Sequence, residues 1–276
     1  MSLPKSFLYN FLSEKYGLSA HFLEGSKLIH DLFLRSDLKG PGLAYIRDLV
    51  LSVQGLSSFL APDEGFGLYI DSEVPYFRFK IEAHQSGHYR TLLLPHGFDE
   101  FPDYITGICR LTKTFKNDSQ PYTSIIQLEQ TPFRDVFSKI LSESYQISGI
   151  NRLSQDSDQS IMLVSIPPRH LKSVNAQNHL FPDEFWKQKG QMIDAFFKKS
   201  LHDRKSIIEF FDQLGFTYLG EKEMRFYCPC SREKMIEGLK SLSLATHEDL
   251  FKEQDSIETK CDYCQTYYMI VKSDLE

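Results

Sequence analysis

The chain lacks the features that mark several large classes of protein. No stretch of its 276 residues approaches the roughly 18 consecutive apolar residues that a membrane span needs. The N-terminal segment has no small-residue cleavage site of a secretory signal. The P-loop pattern, H-E-x-x-H and G-x-S-x-G are all absent, so no motif supports nucleotide-driven or hydrolytic catalysis. We therefore expect a cytoplasmic, non-enzymatic protein that does not enter a membrane.

Positive charge and cysteine are also scarce. Lys and Arg number 31 against 37 Asp and Glu, for a net charge of −6, which argues against a basic nucleic-acid binder. Of five cysteines, four lie between positions 228 and 264, whereas a disulfide scaffold would distribute its bridges through a small secreted domain. The clustering therefore favours a metal site. Cys109 stands alone in an apolar segment, and we expect it to be buried as a small apolar residue.

Residues 1–178 alternate between strand-like and helix-like patterns. In PYFRFKIEAH, apolar Phe77, Phe79, Ile81 and Ala83 alternate with polar residues, as in a strand with one buried face. TPFRDVFSKILSESY has a helical apolar face, and its Pro132 suits the first turn of a helix. Because no regular βαβ rhythm occurs, we predict an N-terminal α+β core domain with a mixed or antiparallel sheet.

Residues 179–220 have the pattern of a helical linker. DEFWKQKGQMIDAFFKKSL and DRKSIIEFFDQLG each place apolar residues on one helix face, and Gly215 suits the C-terminal end of the second helix. These faces either pack permanently on the larger domain or dock reversibly and expose aromatic surface when released. The candidate docking or client-binding residues are Phe185, Trp186, Phe196, Phe197, Phe210 and Phe211.

Residues 221–276 contain two closely spaced cysteine pairs. Cys228-Pro229-Cys230 is followed, after 30 residues, by Cys261-Asp262-Tyr263-Cys264. Four thiolates in two tight pairs suit tetrahedral Zn²⁺, whereas an iron–sulfur cluster fits a C-x-C pair less well. We predict one Zn²⁺ bound by these four cysteines, with His247 of the intervening loop on the surface rather than among the ligands. A segment this small is marginal as an independent fold, so the metal would contribute to its folding.

The pattern of cysteines leaves the role of the zinc open. The segment has 8 Lys and Arg against 12 Asp and Glu, and a net charge of −4 disfavours binding to nucleic acid. Four protein ligands leave no open position for catalysis. An inert structural site in a constitutive protein-binding module is one alternative. The other is a redox switch, because oxidation of the thiolates would remove the ligands and unfold the segment.

Residues 224–276 resemble the zinc domain of the redox-regulated heat-shock chaperones, the heat-shock protein thirty-three family of holdases. The resemblance is carried by MRFYCPCSREKMIEGLKSL and CDYCQTYYMIVKSDLE: the two cysteine pairs, Tyr227 beside the first pair, and Ser231-Arg232-Glu233 after it. Upstream, PYTSIIQLEQTPFRDVFSKILSESYQIS is similar to the strand–helix segment of the family.

The resemblance implies a stress-response function. In the reduced state Cys228, Cys230, Cys261 and Cys264 hold zinc, and the chaperone is inactive. Oxidation forms the disulfides Cys228–Cys230 and Cys261–Cys264 and releases zinc. The zinc domain and linker then unfold, the protein forms a homodimer, and exposed apolar surface holds unfolding client proteins without ATP.

Overall fold

The computed structural model describes residues 3–116, 120–167, 179–242, 249–252 and 254–275. The strands are β1 (Ser6–Ser13), β2 (Leu18–Glu24), β3 (Gly65–Val74), β4 (Phe77–His84), β5 (His88–Leu94), β6 (Tyr104–Thr114), β7 (Tyr122–Pro132), β8 (Gly149–Leu153), β9 (Gln159–Ser165), β10 (Thr217–Phe226), β11 (Ser256–Lys260) and β12 (Tyr267–Val271). The α-helices are α1 (Ser26–Phe33), α2 (Gly40–Val53), α3 (Phe133–Lys139), α4 (Pro182–Phe197), α5 (Arg204–Gln213) and α6 (Arg232–Lys240). Among these helices, none combines the length and the apolar character needed to cross a bilayer.

The chain divides into two units, Met1–Phe226 and Tyr227–Glu276. The first unit contains a ten-stranded sheet, and the second contains a two-stranded sheet and α6. Residues 221–226, which the sequence pattern groups with the cysteine segment, lie in β10, where residues 221–224 pair with β1 and residues 225 and 226 pair with β5. They therefore belong to the larger unit.

The large sheet has the strand order β7-β6-β3-β4-β5-β10-β1-β2-β9-β8. Neighbouring strands are antiparallel with one exception, the parallel pair of β5 and β10. That pair joins two five-stranded halves through only two residue pairs, Arg225↔His88 and Phe226↔Tyr89. The predicted α+β class with a mixed sheet is confirmed.

The half that contains β1, β2, β8, β9 and β10 is covered on both faces. Along β9, Met162 and Val164 belong to one hydrophobic cluster, while Ile161 and Leu163 belong to another. The first cluster also contains residues of α1, α2 and α3, and the second contains residues of α4 and α5. A strand buried on both faces has a nearly continuous apolar sequence. This explains the sequence SIMLV at residues 160–164 of β9.

The other half buries one face. On β4, Phe77, Phe79 and Ile81 are fully buried in the first cluster, while the intervening side chains are more accessible, as the alternation predicts. Cys109 on β6 is fully buried in the same cluster. The prediction that Cys109 is a buried apolar residue is confirmed.

The helix after β7 differs from its prediction in detail. β7 extends through Pro132, so α3 begins at Phe133 and the proline precedes the helix rather than occupying its first turn. The helix ends at Lys139 and continues as a π-helical turn over Ile140–Ser144. Pro132 ends the strand because it has no N–H for the next ladder hydrogen bond.

The two predicted linker helices are α4 and α5, and both belong to the larger unit, where they pack on its sheet. Phe185, Phe197 and Phe211 are buried in the second hydrophobic cluster, and Trp186, Phe196 and Phe210 pack against it. Phe211 stacks on Phe11 of β1 with ring centroids 4.2 Å apart. Gly215 follows α5 with a φ of +86°, a conformation that suits glycine after a helix.

Candidate metal centre

The first cysteine pair lies between β10 and α6. Ser231 caps α6, since its hydroxyl oxygen accepts a hydrogen bond from the N–H of Lys234 at 3.3 Å. The ammonium of Lys234 donates to the carbonyl oxygen of Pro229 at 2.8 Å. The start of the helix therefore fixes the short loop that carries Cys228 and Cys230.

The second pair lies in the turn between β11 and β12. The N–H of Cys261 donates to the carbonyl of Thr266 at 2.9 Å, and the N–H of Gln265 donates to the carbonyl of Cys261 at 2.8 Å. Gln265 has a φ of +61°, which turns the chain back into β12. These bonds hold Cys261 and Cys264 on the same side of the turn.

The four sulfurs converge to one point. Cys228, Cys230, Cys261 and Cys264 place their Sγ atoms within 4.8 Å of one another. The Sγ–Sγ distance is 3.7 Å for Cys228–Cys261 and 3.3 Å for Cys230–Cys264. A disulfide has a sulfur separation of about 2.05 Å, so these are free thiols. Tetrahedral Zn²⁺ with bonds of about 2.3 Å separates its sulfurs by about 3.8 Å. The cluster therefore fits a four-thiolate metal ion.

Hydroxyl groups surround part of the cluster. The Oη atom of Tyr268 lies 3.1 Å from the sulfur of Cys230, and Oγ1 of Thr266 lies 3.2 Å from that of Cys264. Burial raises the pKa of Cys261. Burial also acts to raise the pKa of Cys264, but hydrogen bonds with Thr266 and the neighbouring sulfurs outweigh it and lower the pKa to about 7. A thiol with this pKa loses its proton readily to a metal.

The C-terminal unit has a small apolar core. Its hydrophobic cluster consists, among the residues described, of buried Phe251, Ile257 and Ile270 with a few half-buried neighbours. α6 contributes no buried residue. Arg232 ties the helix to the end of the chain through Asp274 and donates from Nε to the carbonyl of Met269 at 3.0 Å. Such a unit gains little from burial, so a bound metal would supply much of its stability.

The sequence pattern anticipates the four cysteines but not their hydroxyl partners. The signal that could have indicated Tyr268 is the alternation of β12, which places it on the same face as the inward-facing Ile270. Thr266 contacts the cluster only because of the turn geometry. Cys109 lies on β6 and is not a member of the cluster, and His247 lies outside the residues that the structure describes.

The fold and the cluster together define an α+β protein with a separate thiol-rich unit suited to a metal ion. A family model described as Hsp33 protein matches residues 6–271. The chain belongs to the Hsp33 family, as its resemblance to the redox-regulated heat-shock chaperones predicts.

Curated relatives carry the name 33 kDa chaperonin. The protein from Streptococcus pneumoniae (strain JJA) is 27% identical over 165 residues, which cover 56% of this chain and 54% of that protein. The protein from Streptococcus suis (strain 98HAH33) is 25% identical over 162 residues, covering 56% and 55% of the two chains. The matched region thus spans about half the length of these relatives.

A solved structure has the same fold. The 33 kDa chaperonin (heat shock protein 33 homolog) from Thermotoga maritima matches with a TM-score of 0.72 over 98% of this chain and 96% of that chain. The sequence identity is 16%, so the match shows the common architecture and no more.

Proposed function

We propose that this protein is a redox-regulated, ATP-independent holdase. Zinc bound by reduced Cys228, Cys230, Cys261 and Cys264 keeps it inactive, and oxidative disulfide formation with zinc release activates it. The observation that carries the proposal is the convergence of four sulfurs within 4.8 Å in a unit whose hydrophobic cluster contains three buried residues among those described. Family membership supports the chaperone role.

The metal would link the thiols to the folding of the unit. Zn²⁺ holds thiolates in their deprotonated form and cross-links distant parts of the chain. Here one pair of ligands precedes α6 and the other lies in the β11–β12 turn. Losing either pair would leave α6 attached to the hairpin mainly by Arg232 and a few half-buried side chains. Oxidation of the cysteines would therefore unfold the unit.

The chemistry needs a two-electron oxidant such as a peroxide. One thiolate attacks the peroxide O–O bond, which gives a sulfenic acid and releases hydroxide. A second thiolate displaces the hydroxyl group from that sulfur and forms the disulfide. For each disulfide, two sulfurs lose one electron each and one peroxide is reduced. We propose the pairs Cys228–Cys230 and Cys261–Cys264, which the family resemblance implies, so that neither pair of sulfurs can still hold the metal.

α4 and α5 are the candidates for client binding. Their six aromatic side chains lie in or against the second hydrophobic cluster while the helices are docked. The six are Phe185, Trp186, Phe196, Phe197, Phe210 and Phe211. Their release would expose both these faces and the apolar residues of β1 and β2 beneath them. Unfolding proteins expose apolar surface of the same kind, so we propose unfolding client proteins as the binding partners.

The remaining parts of the proposal concern assembly and location. We propose that the oxidised protein forms a homodimer and that the protein acts in the cytoplasm, where thiols stay reduced until stress. The net charge of −6 makes nucleic acid an unsuitable partner. We also propose that the protein acts by binding rather than by catalysis, because the sequence supplies no P-loop, H-E-x-x-H or G-x-S-x-G motif.

The test follows zinc and chaperone activity together. The zinc-loaded protein is treated with hydrogen peroxide at mild heat, and released zinc is measured with a chromogenic chelator. Suppression of the aggregation of an unfolding client is assayed before and after. We expect one zinc per chain to leave and suppression to appear only after oxidation. Equal suppression in dithiothreitol and in peroxide would instead favour a constitutive module with an inert zinc site.

A further inference from the structure

Two of the four sulfurs are in contact with hydroxyl groups of the β11–β12 hairpin. Tyr268 Oη lies 3.1 Å from Cys230 Sγ, and Thr266 Oγ1 lies 3.2 Å from Cys264 Sγ. The same two sulfurs lie 3.3 Å apart. One hairpin therefore supplies a hydroxyl to each member of this pair.

The position of Tyr268 is fixed by the register of β12. Tyr268 lies opposite Thr259 in the antiparallel pair, and Ile270, two residues further on, is fully buried. The alternate side chains Tyr267 and Met269 are 57% and 54% exposed. Because side chains two apart share a face of a strand, the pairing that buries Ile270 also directs Tyr268 to the cluster.

In the structure the Cys264 thiol donates to Thr266 Oγ1, while either atom can be the donor between Cys230 and Tyr268. A metal-bound or deprotonated sulfur carries no proton, so in that state the hydroxyl must turn and become the donor, with the sulfur as the acceptor. Hydrogen bonds to charged acceptors are stronger than those between neutral groups. Such a bond withdraws electron density from the sulfur lone pair that must attack an oxidant, and it orients the ligand around the ion. The hydroxyl groups therefore oppose the first step of oxidation.

We propose that Tyr268 and Thr266 are positioning residues that slow the oxidation of Cys230 and Cys264. The inference rests on the proposed function and adds the control of its rate. With hydrogen peroxide as oxidant, each hydroxyl retards the attack of its own sulfur on the O–O bond, the step that releases hydroxide and forms the sulfenic acid. The response threshold is then set by two side chains that are not ligands.

The experiment compares Tyr268→Phe with Tyr267→Phe in the full-length, zinc-loaded protein. Both changes remove one hydroxyl from adjacent residues of β12, but only Tyr268 faces the cluster. Oxidation by hydrogen peroxide is quenched at short times with an alkylating reagent, and the modification of each cysteine is measured by mass spectrometry. We expect Cys230 to oxidise about threefold to tenfold faster in Tyr268→Phe, from the strength of hydrogen bonds to charged groups and the dependence of thiolate reactivity on basicity. Tyr267→Phe should match the wild-type rate.

Thr266 supplies a second, independent comparison. Thr266→Val removes the hydroxyl with little change in shape, and Thr266→Ser restores it. Faster oxidation of Cys264 in Thr266→Val and a return to the wild-type rate in Thr266→Ser would support the proposal. If reduced Tyr268→Phe does not bind zinc, the comparison of Thr266→Val with Thr266→Ser tests the proposal in its place.

Unchanged rates at Cys230 in Tyr268→Phe and at Cys264 in Thr266→Val, in proteins that hold one zinc, would overturn the inference. The oxidation rate of each cysteine can be measured whether or not zinc is released. A wild-type protein that keeps its zinc after oxidation would defeat the proposed function. A wild-type protein that releases zinc while all variants oxidise at its rate would defeat the inference alone.

Discussion

Gln159 donates a hydrogen bond from Nε2 to the carboxylate of Glu24 at 2.6 Å, and both side chains are buried. The same Nε2 group donates to the carbonyl oxygen of Lys199 at 3.0 Å. One amide thus joins a carboxylate at the end of β2 to the chain just beyond α4. Glu24 also accepts from Ser26 Oγ at 3.0 Å, and burial raises the pKa of its carboxyl group.

The C-terminal end of α4 is held by further polar side chains. Ser154 and Ser157 donate from Oγ to the carbonyl of Phe197 at 3.2 and 2.9 Å. His202 Nε2 lies 2.9 Å from the carbonyl oxygen of Phe196 and donates to it. The last carbonyls of a helix have no partner within the helix, so these side chains provide the missing donors. α4 is therefore anchored by hydrogen bonds as well as by its aromatic face.

We predict that Gln159→Leu weakens the attachment of α4. The change removes the Gln159 donor from the Lys199 carbonyl and from the buried Glu24 carboxylate, which keeps Ser26 Oγ and the N–H of His202 as donors. It should lower the free energy of unfolding by about 2–3 kcal/mol. Trp186 on α4 is the only tryptophan of the chain, so its fluorescence reports directly on this helix during urea unfolding. Gln213→Leu, at an exposed position of α5, is the control and should leave the urea midpoint unchanged. Equal midpoints for the two variants would contradict the anchoring role.

His21 makes the N-terminal unit sensitive to acid. Its ring is buried, with Nδ1 2.7 Å from Asn10 Oδ1 and Nε2 3.1 Å from Ser19 Oγ. Burial lowers the pKa of His21 from 6.5 to about 4. The unfolded chain therefore binds a proton at a higher pH than the native state, and stability falls as the pH drops from 6.5 towards 4. By pH 5 the loss from this group should be about 2 kcal/mol.

The measurement is urea unfolding of wild type and His21→Gln at pH 7 and pH 5. The free energy of unfolding of the wild type should exceed that of His21→Gln by less at pH 5 than at pH 7. Only the wild type loses the contribution of a neutral buried imidazole on acidification. The raised pKa of Glu24 acts in the opposite direction in both proteins and cancels in the difference. His30→Gln removes an exposed histidine and serves as the matched control. A constant difference between wild type and His21→Gln across this range would refute the prediction.

Removal of metal should unfold the C-terminal unit. Its described apolar core is too small to replace four cross-linking ligands, whereas residues 3–226 have two large hydrophobic clusters. After chelation under reducing conditions, we expect the amides of β11 and β12 to exchange with deuterium at least about tenfold faster. The strands of the large sheet should keep their protection. Unchanged exchange in β11 and β12 would show that the unit folds without a metal.

Cys109 should not react with alkylating reagents or with peroxide in the folded protein. Its side chain is fully buried on β6, and burial raises the pKa of the thiol to about 12, so neither access nor charge favours reaction. Under native reducing conditions with a chelator present, an alkylating reagent should modify the four clustered cysteines and leave Cys109 intact. Cys109→Ala should cost about 1 kcal/mol of stability and preserve the response to peroxide. Modification of Cys109 in the folded protein would disprove its burial.

Local sequence patterns were sufficient for part of this structure. The alternation in β4, the helical faces of α4 and α5, and the spacing of the four cysteines each indicate an element or a site without reference to the rest of the chain. These signals are strong because each depends on residues close together in sequence. The predicted class of fold is confirmed, and the four cysteines do lie together in the structure, while their role as metal ligands stays a prediction.

Other features depend on pairing between distant segments. β10 lies between β1 and β5, yet nothing in its sequence indicates either partner. Glu24, Gln159 and Ser154 are ordinary polar residues until the fold brings them to the end of α4. For Tyr268, the alternation of β12 indicates the face of the strand, but not the contact with Cys230, which precedes it by 38 residues. Long-range contacts of this kind leave little trace in a single sequence.

The placement of β10 has a consequence for synthesis on the ribosome. This strand, the tenth among the residues that the structure describes, joins the two halves of the large sheet, through β1 on one side and β5 on the other. Translation delivers β1–β9 first, so the two halves remain separate until the residues up to Phe226 have emerged from the exit tunnel. The cysteine segment follows immediately. A nascent chain therefore closes its main sheet at nearly the same moment as its thiols first meet the surrounding solution.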